Sequence, residues 1–82
     1  MNEAQVYAAL TEVFHDVFDD ETIALAPTMT AADIEGWDST AHVALIVAAE
    51  TRFGVRFRTS EFETLRNVGD FVRLIATKVA KG

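Results

Sequence analysis

The chain has no cysteine, a single proline and no long apolar run. Without cysteine it can form neither disulfide bridges nor a thiolate metal site, so the fold rests on packing and any thiol chemistry needs an imported group. The longest apolar stretch, residues 43–49, is far too short to span a membrane. The amino terminus has no basic region and no signal-peptide core, which favours a soluble cytoplasmic protein. A length of 82 residues predicts one domain over residues 1–82.

Lysine and arginine are missing from residues 1–51, which hold ten of the thirteen acids. Residues 52–82 hold seven bases and three acids, so the two parts carry −10 and +4. The acidic part should repel nucleic acid and anionic lipid and favour basic protein surfaces. The alternative is that the acids only keep a small protein soluble. The acids of residues 16–21 lack the glycine and spacing of a calcium loop, so we predict no metal site.

Apolar spacing and capping signals predict four helices. Asn2 and Gln5 form a capping box before an apolar stripe that ends near residues 19–20. Residues 20–37 show no sustained period and contain Pro27, so they form a long loop held to the core by its apolar side chains. His15, on the first helix, is expected to be a solvated surface residue.

A second helix is predicted over residues 40–53, with Asp38 as its cap and Gly54 as the residue that ends it. We predict that Val43 lies on the inward side of this second helix, together with the other apolar residues of the same face. A capping-box pattern at Ser60 predicts a short third helix, and Asn67 begins the fourth. The fold class is therefore all-α, with three main helices, one short helix and a long first loop.

Ser39 is the residue on which a functional interpretation depends. It lies at the mouth of the second helix, directly after the long loop, where another enzyme can reach its hydroxyl. A serine is a poor nucleophile without an adjacent base. His42 follows three residues later, but no acid is evident to orient it, so a catalytic dyad is not favoured.

Together these residues resemble the acyl carrier proteins. The resemblance rests on Asp38-Ser39, on the helix segment 43–46, on the ending from Glu50 to residues 53–55, and on the Asn67-Val68 helix start. It implies a four-helix acyl-carrier-like bundle whose Ser39 receives a 4′-phosphopantetheine arm from coenzyme A, with Asp38 helping to position the arm. That arm supplies the thiol that the chain lacks and carries acyl groups as thioesters. The alternative is that Ser39 only begins a helix.

The same resemblance implies a monomeric carrier, not an enzyme. Its partners would be a phosphopantetheinyl transferase and acyl-loading and condensing enzymes, with no nucleic acid and no membrane. The second helix departs from the family, which usually lines the exposed face with acids. We expect partners to meet a face that is acidic near Ser39, apolar along the helix and basic beyond it; its residues are Trp37, Thr40, Ala44, Val47, Ala48, Arg52 and Arg56. This favours polyketide or other specialised biosynthesis over primary fatty-acid synthesis.

The sequence leaves two questions open: the type of acyl cargo, and whether the chain is modified at all. Six phenylalanines suggest a full core, which favours short or polar cargo over a long chain held inside. If a chain is stored, the candidate lining residues are Phe14, Ile46, Phe62, Leu65, Phe71 and Ile75. The alternative function is a carrier-like interaction module that is never modified.

Overall fold

Residues 2–81, the part of the chain that the computed structural model describes, contain four α-helices and one short 3₁₀ turn joined by loops. In chain order they are α1 (Glu3–Phe18), the 3₁₀ turn (Ala31–Asp33), α2 (Ser39–Phe53), α3 (Thr59–Phe62) and α4 (Val68–Lys81). No strand occurs among these residues. The all-α prediction is confirmed. Within the described residues, no helix is long and apolar enough to cross a membrane.

The core lies between α1, α2 and α4, with α1 packed against both of the others. Each helix contributes a buried apolar stripe, and Ile34 adds a buried side chain from the long loop. The buried core residues are Val6, Leu10, Val13, Phe14, Ile34, Leu45, Ile46, Ala49, Val68, Phe71, Val72 and Ile75. Burial of these side chains is the main force that a chain without disulfides can use.

Local capping signals predict most of the helix ends, although α2 begins at Ser39, one residue before the predicted start. The Asn2 and Gln5 side chains each accept the other's backbone N–H at 2.9 Å. At the end of α2, Gly54 adopts a left-handed φ of +66°, a conformation that a residue with a Cβ rarely takes. The start of α3 differs from the prediction, because α3 begins at Thr59 and the Glu61 carboxylate accepts the Arg58 N–H at 2.8 Å. Ser60 therefore lies inside the helix.

The long loop is held against the start of α4 by two backbone hydrogen bonds. Val68 N–H donates to the Met29 carbonyl at 2.8 Å, and Gly69 N–H donates to the Pro27 carbonyl at 2.9 Å. Both donors belong to the first turn of α4, whose amides have no partner within the helix. The loop carbonyls thus accept hydrogen bonds from the first turn of α4, and the same bonds hold the loop in place.

A third attachment of the loop corrects a sequence expectation. His15 Nε2 lies 2.7 Å from the Ile23 carbonyl, and the ring is half-buried, so it is not a solvated surface residue. Since a carbonyl only accepts, Nε2 is the protonated nitrogen of that ring. Val43 is also corrected: it is 54% exposed, whereas Leu45 is fully buried. The inward side of α2 is rotated away from Val43.

Candidate functional site

Ser39 is the first residue of α2 and is exposed to solvent. The Asp38 carboxylate accepts the Ala41 N–H at 2.8 Å, and the Asp38 carbonyl accepts the His42 N–H at 2.9 Å. The amides of Ser39 and Thr40 come before the first i→i−4 bond and face outward from the helix start. An exposed hydroxyl at such a positive helix end can carry an anionic substituent.

Asp38 is the cap of α2, as predicted, and this fixes the direction in which Ser39 leaves the loop. Its backbone is extended, with φ −105° and ψ −170°, while the preceding Gly36 has φ +87°. Asp38 N–H donates to the Gly36 carbonyl at 3.0 Å, so the chain turns sharply just before the serine. A glycine accepts the positive φ of this turn without steric cost.

Trp37 and His42 form a pair that sequence spacing did not reveal. The indole Nε1–H donates to His42 Nδ1 at 3.2 Å, and the two ring planes lie 21° apart. Trp37 packs edge-on against Phe14, with ring centroids 5.3 Å apart, and His42 packs against Phe62 at 6.1 Å. An aromatic row therefore links α1, the loop, α2 and α3. Within residues 2–81 no carboxylate is hydrogen-bonded to His42, which leaves the dyad interpretation without support.

A partly open groove of about 610 Å³ begins at Ser39 and runs toward α3 and the start of α4. Its apolar wall contains Val43, Phe62, Leu65 and Phe71. Of the six residues that the sequence suggested for an acyl chain, Phe62, Leu65 and Phe71 line this groove. The other three, Phe14, Ile46 and Ile75, lie in the buried core.

The polar wall of the groove contains Asp38, His42, Glu63, Arg66 and Asn67. Arg66 forms an ion pair with Asp70, with Nε and Oδ2 3.3 Å apart. The Arg66 backbone N–H also donates to Asp70, and this bond is the largest of the effects that hold the pKa of the Asp70 carboxyl below its ordinary value. Asn67 Oδ1 accepts the Asp70 N–H at 2.8 Å, which leaves the Asn67 amide nitrogen as a donor.

The exposed face of α2 extends from Ser39 as a stripe of small and apolar residues. Thr40, Val43, Ala44 and Val47 are exposed, and in the part of the chain that the structure describes Val43 and Val47 are the exposed large apolar side chains. Ala48 is half-buried against the core. The sequence thus identified most of the stripe but missed Val43, which the apolar spacing placed inside.

Arg52 and Arg56 lie beyond the carboxyl end of this stripe, and both are exposed. Arg52 pairs with Glu12 of α1 at 2.6 Å, so its charge is partly neutralised at the surface. Glu50 accepts the Phe57 N–H at 2.9 Å and therefore serves the chain turn after α2. Among residues 2–81, no group of three or more His, Asp or Glu side chains is arranged to hold a metal ion.

Comparisons with known proteins give one consistent family. The model of the family described as "Phosphopantetheine attachment site" matches residues 8–75. An acyl carrier protein of Acidothermus cellulolyticus is 33% identical over 76 residues, which cover 93% of this chain and 90% of that protein. The solution NMR structure of the holo acyl carrier protein of Geobacter metallireducens has a TM-score of 0.88 and 41% identity, with 93% of this chain and 87% of that chain covered.

Proposed function

This chain belongs to the acyl carrier protein family, and on that premise we propose that Ser39 bears its 4′-phosphopantetheine arm. The observation that carries the proposal is the position of Ser39, an exposed hydroxyl at the start of α2 and at the mouth of a groove. Phosphopantetheine is the covalent cofactor of the family, and its donor is coenzyme A. The proposed activity is to hold acyl intermediates and present them to other enzymes.

The residues around Ser39 fit such an arm. Its phosphodiester is an anion, and the outward amides of Ser39 and Thr40 with the positive end of α2 suit an anion. Asp38 is already used as a cap, so it holds the backbone at this point and leaves the serine hydroxyl to the transferase. His42 Nδ1 accepts the Trp37 N–H and the Asp38 carboxylate accepts the Ala41 N–H, and within residues 2–81 no side chain accepts a hydrogen bond from the Ser39 hydroxyl. We therefore infer that the base for the attachment comes from the transferase.

The arm supplies a terminal thiol, which the chain itself lacks, and that thiol holds acyl groups as thioesters. The contribution of the chain is to orient and shelter what is attached. The groove offers Val43, Phe62 and Leu65 as apolar contacts, and it opens to solvent so that partner enzymes can withdraw the cargo.

The family interacts with modifying and biosynthetic enzymes, and we propose that partners of this chain meet the exposed stripe of α2. The stripe is apolar where acids are usual, which supports polyketide or other specialised biosynthesis. Trp37, half-buried at the groove, and the exposed Arg52 and Arg56 would border the contact. In this proposal the protein acts as a monomeric carrier and performs no catalysis of its own.

The test is intact mass before and after incubation with coenzyme A, Mg²⁺ and a broad-specificity phosphopantetheinyl transferase. Wild type should gain one phosphopantetheinyl group, and Ser39→Ala should gain none. Ser60→Ala is the matched control, because Ser60 is the other serine of the chain and is also exposed. If folded wild type gains no mass, or Ser39→Ala gains as much as wild type, the proposal is wrong. Failure of wild type would favour the unmodified interaction module.

A further inference from the structure

The Trp37–His42 hydrogen bond fixes where His42 carries its proton. An indole N–H is only a donor, so His42 Nδ1 must be the acceptor in the 3.2 Å contact. In the neutral ring the proton is then on Nε2. The orientation of the imidazole is fixed by Trp37 on one side and by packing against Phe62, with ring centroids 6.1 Å apart.

His42 Nε2 is consequently a hydrogen-bond donor that is available to a ligand. His42 is half-buried and lines the groove, and within residues 2–81 no protein atom accepts a hydrogen bond from its Nε2. His15 provides the contrast in the same chain, because its Nε2–H already has the Ile23 carbonyl at 2.7 Å. A ligand that fills the groove would exclude water from this donor, so an acceptor on that ligand would avoid leaving the donor unpaired.

The other charges of the groove restrict what that acceptor can be. Asp38 and Glu63 are carboxylates on its polar wall, and they disfavour an anionic group. Arg66 of the lining is largely exposed and pairs at 3.3 Å with Asp70, which also pairs with Arg73. A neutral carbonyl or hydroxyl oxygen is not repelled by these carboxylates and needs no basic side chain as its partner. The Asn67 amide nitrogen offers a second donor of the same kind.

Taking Ser39 as the attachment point, which rests on the proposed function, we propose that His42 Nε2–H donates to a neutral oxygen of the Ser39-linked group. His42 is three residues from Ser39 and so lies in the first turn of the same helix. The oxygen belongs either to an amide of the arm or to the third carbon of the acyl cargo. In the second case the groove distinguishes 3-oxo and 3-hydroxy acyl groups from saturated ones.

The experiment is imidazole ¹⁵N–¹H NMR of the protein in four forms. These are the unmodified protein, the phosphopantetheinyl form, and forms loaded with hexanoyl or 3-oxohexanoyl groups, each verified by intact mass. We expect the His42 Nε2–H signal to shift and its exchange with water to slow when its acceptor arrives. His15 is the internal reference, since its Nε2–H bond to Ile23 should be the same in all four forms.

The four forms also identify the source of the oxygen. A change that is already complete in the phosphopantetheinyl form assigns the acceptor to the arm, and a change only in the 3-oxohexanoyl form assigns it to the cargo. No change in any form with verified attachment overturns the proposal but not the attachment at Ser39. If the mass shows no attachment at all, the proposed function fails and this inference fails with it.

A second readout is cleavage of the thioester by hydroxylamine, compared between wild type and His42→Phe. Phenylalanine keeps a ring between Trp37 and Phe62 but removes the donor. If the cargo is the acceptor, cleavage of the 3-oxohexanoyl form should accelerate about fivefold, within the range for one neutral hydrogen bond, while the hexanoyl form should change less than twofold. If the variant does not fold, the NMR result on wild type decides alone. Equal acceleration of both forms would contradict a cargo contact.

Discussion

The exposed stripe of α2 gives a quantitative prediction about recognition by the transferase. Val43 and Val47 lie one and two turns of helix beyond Ser39, at about 6 and 12 Å along the axis. A protein interface of standard size covers roughly 800 Å² on each partner, which is a disc of about 16 Å radius. An enzyme that reaches the Ser39 hydroxyl along this face must therefore cover both valines.

The magnitude follows from their exposure. Each valine is 54% exposed, so about half of its side chain is still available to a partner. Valine to alanine removes two carbon groups, worth about 0.8 kcal/mol each when fully buried. Halved for each site and summed over both sites, the loss is about 1.6 kcal/mol. The double variant Val43→Ala/Val47→Ala should thus lower kcat/KM for arm transfer about fifteenfold.

The assay is the rate of arm transfer from coenzyme A with the cognate transferase, at low and high salt. Because the contact is made equally in the bound and transition states, the loss should appear as a raised KM with kcat little changed. It should also persist at high salt, which weakens contacts between charges but not apolar ones. A thermal melt checks the fold, and alanine should not destabilise an exposed helix position.

Two matched variants make the outcome decisive. Val47→Thr keeps the branched shape but replaces a methyl group with a hydroxyl. It should therefore lower kcat/KM for arm transfer, but by less than the double alanine variant does. Thr77→Ala changes an exposed residue of α4, outside the stripe, and should have no effect. If the double variant accepts the arm within twofold of wild type, the stripe does not contact the transferase and the reasoning is wrong.

Three further predictions concern stability. Gly69→Ala should destabilise by about 1–2 kcal/mol in urea unfolding, although alanine favours helices, because its Cβ would lie 3.0 Å from the Pro27 carbonyl oxygen; a more stable variant would contradict the loop contact. Leu45→Ala should cost about 2–5 kcal/mol in the same assay, and a loss below 1 kcal/mol would mean that Leu45 is not in the core. The Asp70 pKa is lowered in the fold, mainly by the Arg66 amide, so its stabilisation is present above the unfolded pKa and disappears as pH falls through the folded one. Asp70→Asn should therefore flatten the acid limb of stability below about pH 4, and an unchanged limb would exclude this carboxyl as a cause.

The features that could be predicted are those whose cause is local in sequence. Asp38, Ser39 and Gly54 mark the two ends of α2 because a cap, a helix start and a left-handed glycine each depend on neighbouring residues alone. The prediction for the start of α3 was wrong because Ser60 is a common capping residue. In the structure the Glu61 carboxylate accepts the Arg58 N–H, and no side chain at the start of the helix makes the reciprocal bond. One side chain was enough to shift the boundary.

The features that could not be predicted depend on rotation or on distant contacts. α2 carries apolar residues around most of its circumference, so spacing alone could not decide whether Val43 or Leu45 faces the core. Three other features join groups that lie on different elements or on either side of a helix start. No periodicity in the sequence indicates them. They are the His15–Ile23 bond, the Trp37–His42 bond and the position of Arg66 beside the groove.

Contacts between the long loop and the helices are what place Ser39. The loop before it is attached at His15, at the first turn of α4 and through Trp37, whose ring lies 5.3 Å from Phe14 of the core. A loop of this length without such attachments would have many conformations, and the serine at its end would have no fixed approach. Since His42 is bonded to Trp37 from the other side of Ser39, any change in the loop should also move the groove. If the arm is attached at Ser39 as proposed, we expect its loading and the packing of the loop to be coupled through the Trp37–His42 pair.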